Sequence, residues 1–179
     1  MTDEKIPFAG RVAISIENLL MTRLVPKDNP GMIFKWLFKV PILFYRIGLP
    51  LFGDFILLLT TTGRRSGKKR YTPLEYRREK GSGYFVVTAG WGGRTDWVKN
   101  LRANQNVHVQ AGWRHFDARA ESLTDEEVTA WLAYAVKVNP GSLKIWSRWA
   151  GEPLNGSMES LSKAARYFPS FRLIPILEN

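Results

Sequence analysis

Apolar positions change rhythm near residue 55, dividing the chain into a leading helical stretch and a following run of strands. From Gly31 to Leu59 the sequence is apolar and aromatic, but Lys35, Lys39, Arg46 and Asp54 interrupt it, with Pro41 and Pro50 between them. A membrane span needs roughly 20 unbroken apolar residues, so this stretch predicts an amphipathic helix instead. Two placements are open for it: packed on the core, or resting on a membrane surface with Lys35 and Lys39 at the headgroups beside Trp36 and Phe38. The run FILLLTT, Phe55 to Thr61, is short and bounded by Gly53 and Gly63, which suits a buried strand. GRRSGKK then turns the chain into a partly alternating run from Arg70 to Arg78. The glycines of EKGSG lead tightly into YFVVTA, Tyr84 to Ala89, so these three strands are expected to form a meander.

Further along, GWGGRTDW places three glycines within four residues and reads as an irregular loop. Asp96 to Ala103 predicts a short helix with Thr95 as its N-cap. Val107, Val109 and Ala111 alternate with His108 and Gln110, and after Gly112 a second alternating run, His115 to Glu121, completes a hairpin. Thr124 and Glu127 have the spacing of a capping box, opening a helix to about Val138 that Asn139-Pro140-Gly141 stops. Helical pieces near Leu143 to Trp149 and Ser157 to Tyr167 precede a last apolar strand, FRLIPIL. About six strands with peripheral helices suggest an antiparallel barrel or a mainly β, α+β fold. The expected organisation is a single domain, with residues 1–54 as an N-terminal helical extension and 55–179 as the barrel.

Charge adds a location. Residues 61–119 carry thirteen basic and four acidic side chains, against seven and five in 1–60 and six and seven in 120–179, so the net charge of +10 comes almost wholly from the middle third. Such a field concentrates anionic ligands. The absence of Cys removes disulfides, thiolate nucleophiles and Cys-ligated metal centres. Met1 to Gly10 is polar and holds Asp3 and Glu4, so it lacks the order of a secretory signal. A cytoplasmic location is expected, with membrane association through the N-terminal helix as the alternative.

The sharpest candidate for chemistry is TTTGRRSGKKR, Thr60 to Arg70, in which five of the seven residues 64–70 are basic. In a turn between strands, its N–H groups and guanidinium forks can converge on one anion; a solvated basic hairpin is the plainer alternative. It is not a Walker A loop, because three residues separate Gly63 from Gly67 and a strand follows. Nucleic acid is disfavoured as a partner, since most of the seven Trp lie outside the basic turn and no helix-turn-helix, zinc-finger or RNP-type pattern is visible. His108 and His115 fall on adjacent strands and read as sheet-face residues, and no metal site is expected. Ser66 lacks a nucleophile elbow, and the dinucleotide fingerprint is missing. Asp96 reads as a helix-start residue near the loop.

LLLTTTGRRSGKKRYTPLEY (Leu57 to Tyr76), YFVVTAGWGG (Tyr84 to Gly93) and DWVKNLRANQNVHVQ (Asp96 to Gln110) together resemble the deazaflavin (coenzyme F420)-dependent nitroreductase family. The resemblance implies a split β-barrel like that of the pyridoxine-phosphate-oxidase-like FMN-binding proteins, often dimeric, with the cofactor in a groove. It implies that Gly63, Arg64, Arg65, Ser66, Gly67 and Arg70 hold the phosphate and acidic tail. Thr72 and Pro73 would line the polar chain, Ala89, Gly90 and Trp91 would approach the ring, and Trp97 and Asn100 would complete the pocket. Arg suits such bidentate anion contacts. Trp91 replaces a commonly basic residue and Gln105 a common Pro; fewer cations leave FMN as the alternative to F420.

The implied activity is hydride transfer to an electron-poor small molecule such as an enone, a quinone or a nitro compound. No catalytic side chain is assigned, since the cofactor carries the hard chemistry. Tyr76, Tyr134 and Trp146 are considered as pocket residues, although core or surface roles suit them as well. A non-catalytic binding protein for a flavin, haem or fatty-acyl ligand on the same barrel is the alternative, and a homodimer is the expected assembly.

Overall fold

A computed structural model describes residues 40–49, 53, 55–79 and 81–176. Most of the expected N-terminal extension, including Lys35, Trp36, Phe38 and Lys39, lies outside the described residues. Its described part holds helix α1 (Val40–Arg46), which buries Tyr45. The Tyr45 hydroxyl donates to the Ile56 carbonyl, and the Tyr76 hydroxyl donates to the Gly53 carbonyl at 2.7 Å, so this segment is tied to the strands that follow. No helix among the described residues is long and apolar enough to cross a membrane.

Six strands follow: β1 (Ile56–Thr62), β2 (Lys69–Arg78), β3 (Phe85–Thr88), β4 (Asn106–Ala111), β5 (Arg114–Ser122) and β6 (Ser170–Pro175). They close into an antiparallel barrel in the order β1-β2-β3-β6-β5-β4. The expected meander of the first three strands is present, and closure joins β1 to β4 and sends β6 between β3 and β5. Alternation explains the interior: Leu57, Leu59, Tyr76, Phe85, Val87, Val107, Val109, Ala118, Ala120, Phe171 and Leu173 form one buried cluster.

Helix α2 (Asp96–Ala103) adds Trp97, Val98 and Leu101 to that same core. It therefore packs rigidly, although eight residues would be marginal alone. Helices α3 (Asp125–Val138), α4 (Ser142–Ala150) and α5 (Met158–Ala165) build a second core around Leu132, Leu161 and Phe168. The capping box at α3 is present, with Thr124 Oγ1 accepting from the Glu127 amide and Glu127 Oε2 accepting from the Thr124 amide.

Arg172 on β6 joins the two layers. Its guanidinium donates to Glu79 at 2.6 Å, in the β2–β3 connection, and to Glu127 at 2.8 Å, on α3, while Glu121 of β5 lies 3.4 Å away. Hydrogen bonds from Arg172 hold the Glu79 and Glu127 carboxyls below their ordinary range, and the two carboxylates raise the Arg172 pKa in turn.

Candidate functional site

Register sets the basic turn. Thr61 pairs with Arg70 and Thr62 with Lys69, so Gly63 to Lys68 must reverse the chain. The Gly63 amide donates to the Lys68 carbonyl at 2.9 Å, and the Gly63 carbonyl accepts from the amides of Ser66 and Gly67. The turn is tight enough that a Cβ on Gly63 would lie 2.9 Å from Ser66 Oγ and 3.1 Å from the Lys68 carbonyl. Gly63 therefore lets the two arms of the turn approach closely, and a side chain there would push on Ser66 and the Lys68 carbonyl.

Asn100 of α2 anchors this turn. Its side chain is buried, its Oδ1 accepts from the Arg64 amide and from Arg64 Nη1, both at 3.2 Å, and its Nδ2 donates to Thr61 Oγ1. Arg64 Nη1 also donates to Asp96 at 2.9 Å. That bond, reinforced by the charges of Arg64, Lys99 and Arg65, holds the Asp96 carboxyl below its usual range. The neighbouring arginines differ sharply. Arg65 and Arg70 form no ion pair with any described residue, and both line a cleft of about 440 Å³ with Ser66, Tyr71, Thr72 and Trp97. That volume falls within the roughly 300–1,000 Å³ common for small-molecule sites.

A second cleft of about 180 Å³ adjoins it across Trp97, over the outer face of β2 and β3. Pro73, Glu75, Thr88 and Gly90 supply the barrel side, and Trp131 of α3 with Trp146 and Trp149 of α4 supply an aromatic wall. The indole of Trp149 lies so close to Gly90 that a Cβ there would sit 3.3 Å from the ring. Thr95 also borders this cleft. It occupies the N-cap position with extended backbone, but its side chain makes no capping bond, and its buried hydroxyl has no hydrogen-bond partner among the described residues.

Of the residues singled out in the sequence, Gly63, Arg64, Arg65, Ser66, Arg70, Thr72, Trp97 and Asn100 line the first cleft, and Pro73 and Gly90 line the second with Trp97. Gly67 stays in the exposed part of the turn, Ala89 is buried with the barrel core, and Trp91 falls in a 3-10 turn, Trp91–Gly93. Tyr76 is a core residue, whereas Trp146 reaches the second cleft. Asp96 is a first-turn residue engaged with Arg64. His108 and His115 lie on exposed sheet positions, with His108 Nδ1 2.7 Å from Asp117. Among the described residues, no group of three or more His, Cys, Asp or Glu could hold a metal ion. Trp131 and Trp149 are cleft residues that sequence reasoning missed; the three-residue spacing of Trp146 and Trp149 on α4 was their available signal.

The family model for F420H(2)-dependent quinone reductases matches residues 44–151, more than half of the chain. An F420H(2)-dependent quinone reductase of Mycobacterium tuberculosis is 36% identical over 67 residues, which are 36% of this chain and 44% of that protein. The chain thus spans less than half the length of this curated relative. A solved F420-H2 dependent reductase, FDR-A, is 33% identical, with 66% of this chain and 92% of that chain covered at a TM-score of 0.46. The heme storage protein HutZ from Vibrio cholerae is 17% identical, with 72% of this chain and 87% of that chain covered at a TM-score of 0.45. The basic turn, the Trp91–Gly93 loop and the helix that carries Asn100 all lie inside the span matched by the family model, and the chain belongs to the F420H(2)-dependent quinone reductase family.

Proposed function

We propose that this protein binds reduced coenzyme F420 and reduces an electron-poor small molecule, with quinones the first class to test. The observation that carries this reading is the division of labour in the basic turn: Arg64 is neutralised by Asp96, while Arg65 and Arg70 face one cleft with no described acidic partner. Those donors fit a phosphate and carboxylate tail, since guanidinium forks can bond such groups in bidentate fashion. The buried Thr95 hydroxyl bordering the second cleft, without a partner among the described residues, adds a polar group that a ligand could satisfy.

When bound, the reduced deazaflavin supplies a hydride, hence two electrons, to the acceptor. The residues of this chain provide position and environment. Arg65, Arg70 and Ser66 hold the anionic tail, with Asn100 and Arg64 keeping the turn in place behind them. Thr72, Pro73, Gly90 and Trp97 form the floor that leads into the second cleft. Trp131, Trp146 and Trp149 exclude water there, which strengthens electrostatic stabilisation of charge developing on the acceptor. No side chain in the second cleft is required as an acid, because the reduced acceptor can take its proton from solvent once it leaves the cleft. Homodimer assembly and a cytoplasmic location are part of the same proposal, and FMN is the competing cofactor.

Two assays on the purified protein test this. Titration with F420 and with FMN should give saturable binding of F420 and weaker binding of FMN. Reduced F420 should then be oxidised when menadione is added. Tight binding without turnover of any enone, quinone or nitro acceptor would return the carrier reading, and absence of binding by either cofactor would overturn both.

A further inference from the structure

Glu75 and Arg77 flank Tyr76 on β2, and because Tyr76 belongs to the barrel core, strand alternation turns both charged side chains to the outer face. There Arg77 pairs across the sheet with Val86, and Glu75, Arg77 and Val86 all border the second cleft. Among the described residues that line this cleft, Arg77 is the one cation and Glu75 the one acid; the wall of Trp131, Trp146 and Trp149 brings no charge.

The neighbouring arginines are engaged elsewhere. Arg172 is held by Glu79 and Glu127, and the Arg78 guanidinium lies 5.0 Å over the Phe85 ring. Arg77 has a single ion pair among the described residues, from Nη2 to Glu75 Oε1 at 2.8 Å. A guanidinium carries five N–H donors, so this bond steadies the side chain and leaves others to offer. A half-exposed pair of this kind adds little to stability, whereas its field reaches further beside indole rings than in open water. Pro73 and Gly90 border the cleft near Trp97, which it shares with the first cleft, and Arg77 lies roughly 13 Å beyond Pro73 along β2, at about 3.3 Å per residue. That length holds an acceptor ring and the reach of an arginine side chain.

We propose that Arg77 is the residue that meets the negative charge developing on the acceptor's oxygen, with Glu75 holding its guanidinium in place. The proposal rests on the reductase reading above, which seats the acceptor at the second cleft. On an enone the incoming hydride, with its two electrons, forms a C–H bond at the β carbon; the C=C pair shifts, the carbonyl oxygen becomes an oxyanion, and the cofactor, having lost a C–H bond, is left oxidised. A quinone ends as the hydroquinone monoanion. Each oxyanion is neutralised by a proton from solvent after release. The charge is greater in the transition state than on the bound neutral acceptor, so a cation placed there raises kcat more than it tightens binding.

The test compares the unaltered F420-loaded protein with Arg77→Gln and Arg77→Lys in steady-state reduction of menadione. In Arg77→Gln kcat should fall at least about tenfold with KM nearly unchanged, short of the roughly 10²–10³ of a fully buried oxyanion donor because the group is half-exposed. Arg77→Lys, which keeps the charge, should recover part of the loss, and the affinity for F420 should be the same in all three proteins. A second readout needs no turnover: with oxidised F420 bound, the absorbance of 4-cyanophenol should show its phenolate favoured by the unaltered protein, and that preference should vanish in Arg77→Gln. Turnover by the unaltered protein with kcat of Arg77→Gln within about twofold of it would overturn the assignment and leave the reductase reading intact. An equal phenolate preference in both proteins, or none in either, would also overturn it, as would a loss of F420 affinity as large as the loss of kcat. Failure of the unaltered protein to reduce any acceptor would instead sink the reductase reading on which the assignment stands.

Discussion

Arg64 and Arg65 are adjacent and chemically identical, yet the fold gives them different tasks, and the reason is Asn100. By accepting from both the backbone and the side chain of Arg64, its buried Oδ1 turns Arg64 inward toward α2. Arg65 is then left to face the cleft. Removing the anchor should loosen the turn: Asn100→Ala strips Thr61 Oγ1 and the Arg64 amide of partners and is expected to cost about 1–3 kcal/mol of unfolding free energy. Chemical denaturation measures it, and a loss below about 0.5 kcal/mol would show that water replaces the amide without penalty. Composition pointed to a cationic turn, but not to which of its arginines is engaged within the fold, because Asp96 is 32 residues from Arg64 in sequence.

At the scale of elements, strands and helices were legible wherever one local rule governed them. Alternation along Val107 to Ala111 gave β4, and the capping residues Thr124 and Glu127 placed α3 at Asp125. Asp96–Ala103 matched its sequence-based bounds, but its cap did not follow the rule: the Thr95 hydroxyl bonds no helix amide. The aromatic wall was less legible for a different reason. Trp131 comes from α3 and Trp146 and Trp149 from α4, and their convergence depends on how the helix layer packs over β2 and β3. Packing of this kind is set by side-chain fit between distant elements, which a pattern read along one chain does not contain. Gly93 illustrates the same limit. Its Cβ would lie 2.7 Å from Pro169 Cγ, and its φ of +66° is left-handed, yet in the sequence it is one glycine of a loop.

For the molecule as a whole, the helix layer supplies about half of the second cleft's lining, so the tie at Arg172 bears on the shape of that cleft as well as on stability. Glu79 and Glu127 have folded pKa values depressed chiefly by hydrogen bonds from Arg172. A depressed carboxylate stabilises the fold above its unfolded value, near 4.3 for Glu, and that contribution is lost as pH falls through the folded value. The protein is therefore expected to lose stability below about pH 4.5. Arg172→Leu should lower neutral-pH stability by about 1–3 kcal/mol and make the acid loss shallower. Unfolding curves at several pH values check this; an equally steep acid limb in the variant would place the sensitive carboxylates elsewhere.

In the proposed complex the cations left open by the β1–β2 turn grip the anionic tail of the cofactor and not its ring. Calorimetric titration of the unaltered protein and Arg65→Ala, each with intact F420 and with the deazaflavin ring system lacking the phosphate and acidic tail, separates the two. Arg65→Ala should weaken intact F420 at least about tenfold, the 1.4 kcal/mol expected of one lost charge-assisted contact, and leave the affinity for the tailless ring and the melting temperature of the empty protein unchanged. Equal affinity of both proteins for intact F420, or equal weakening toward both ligands, would contradict it.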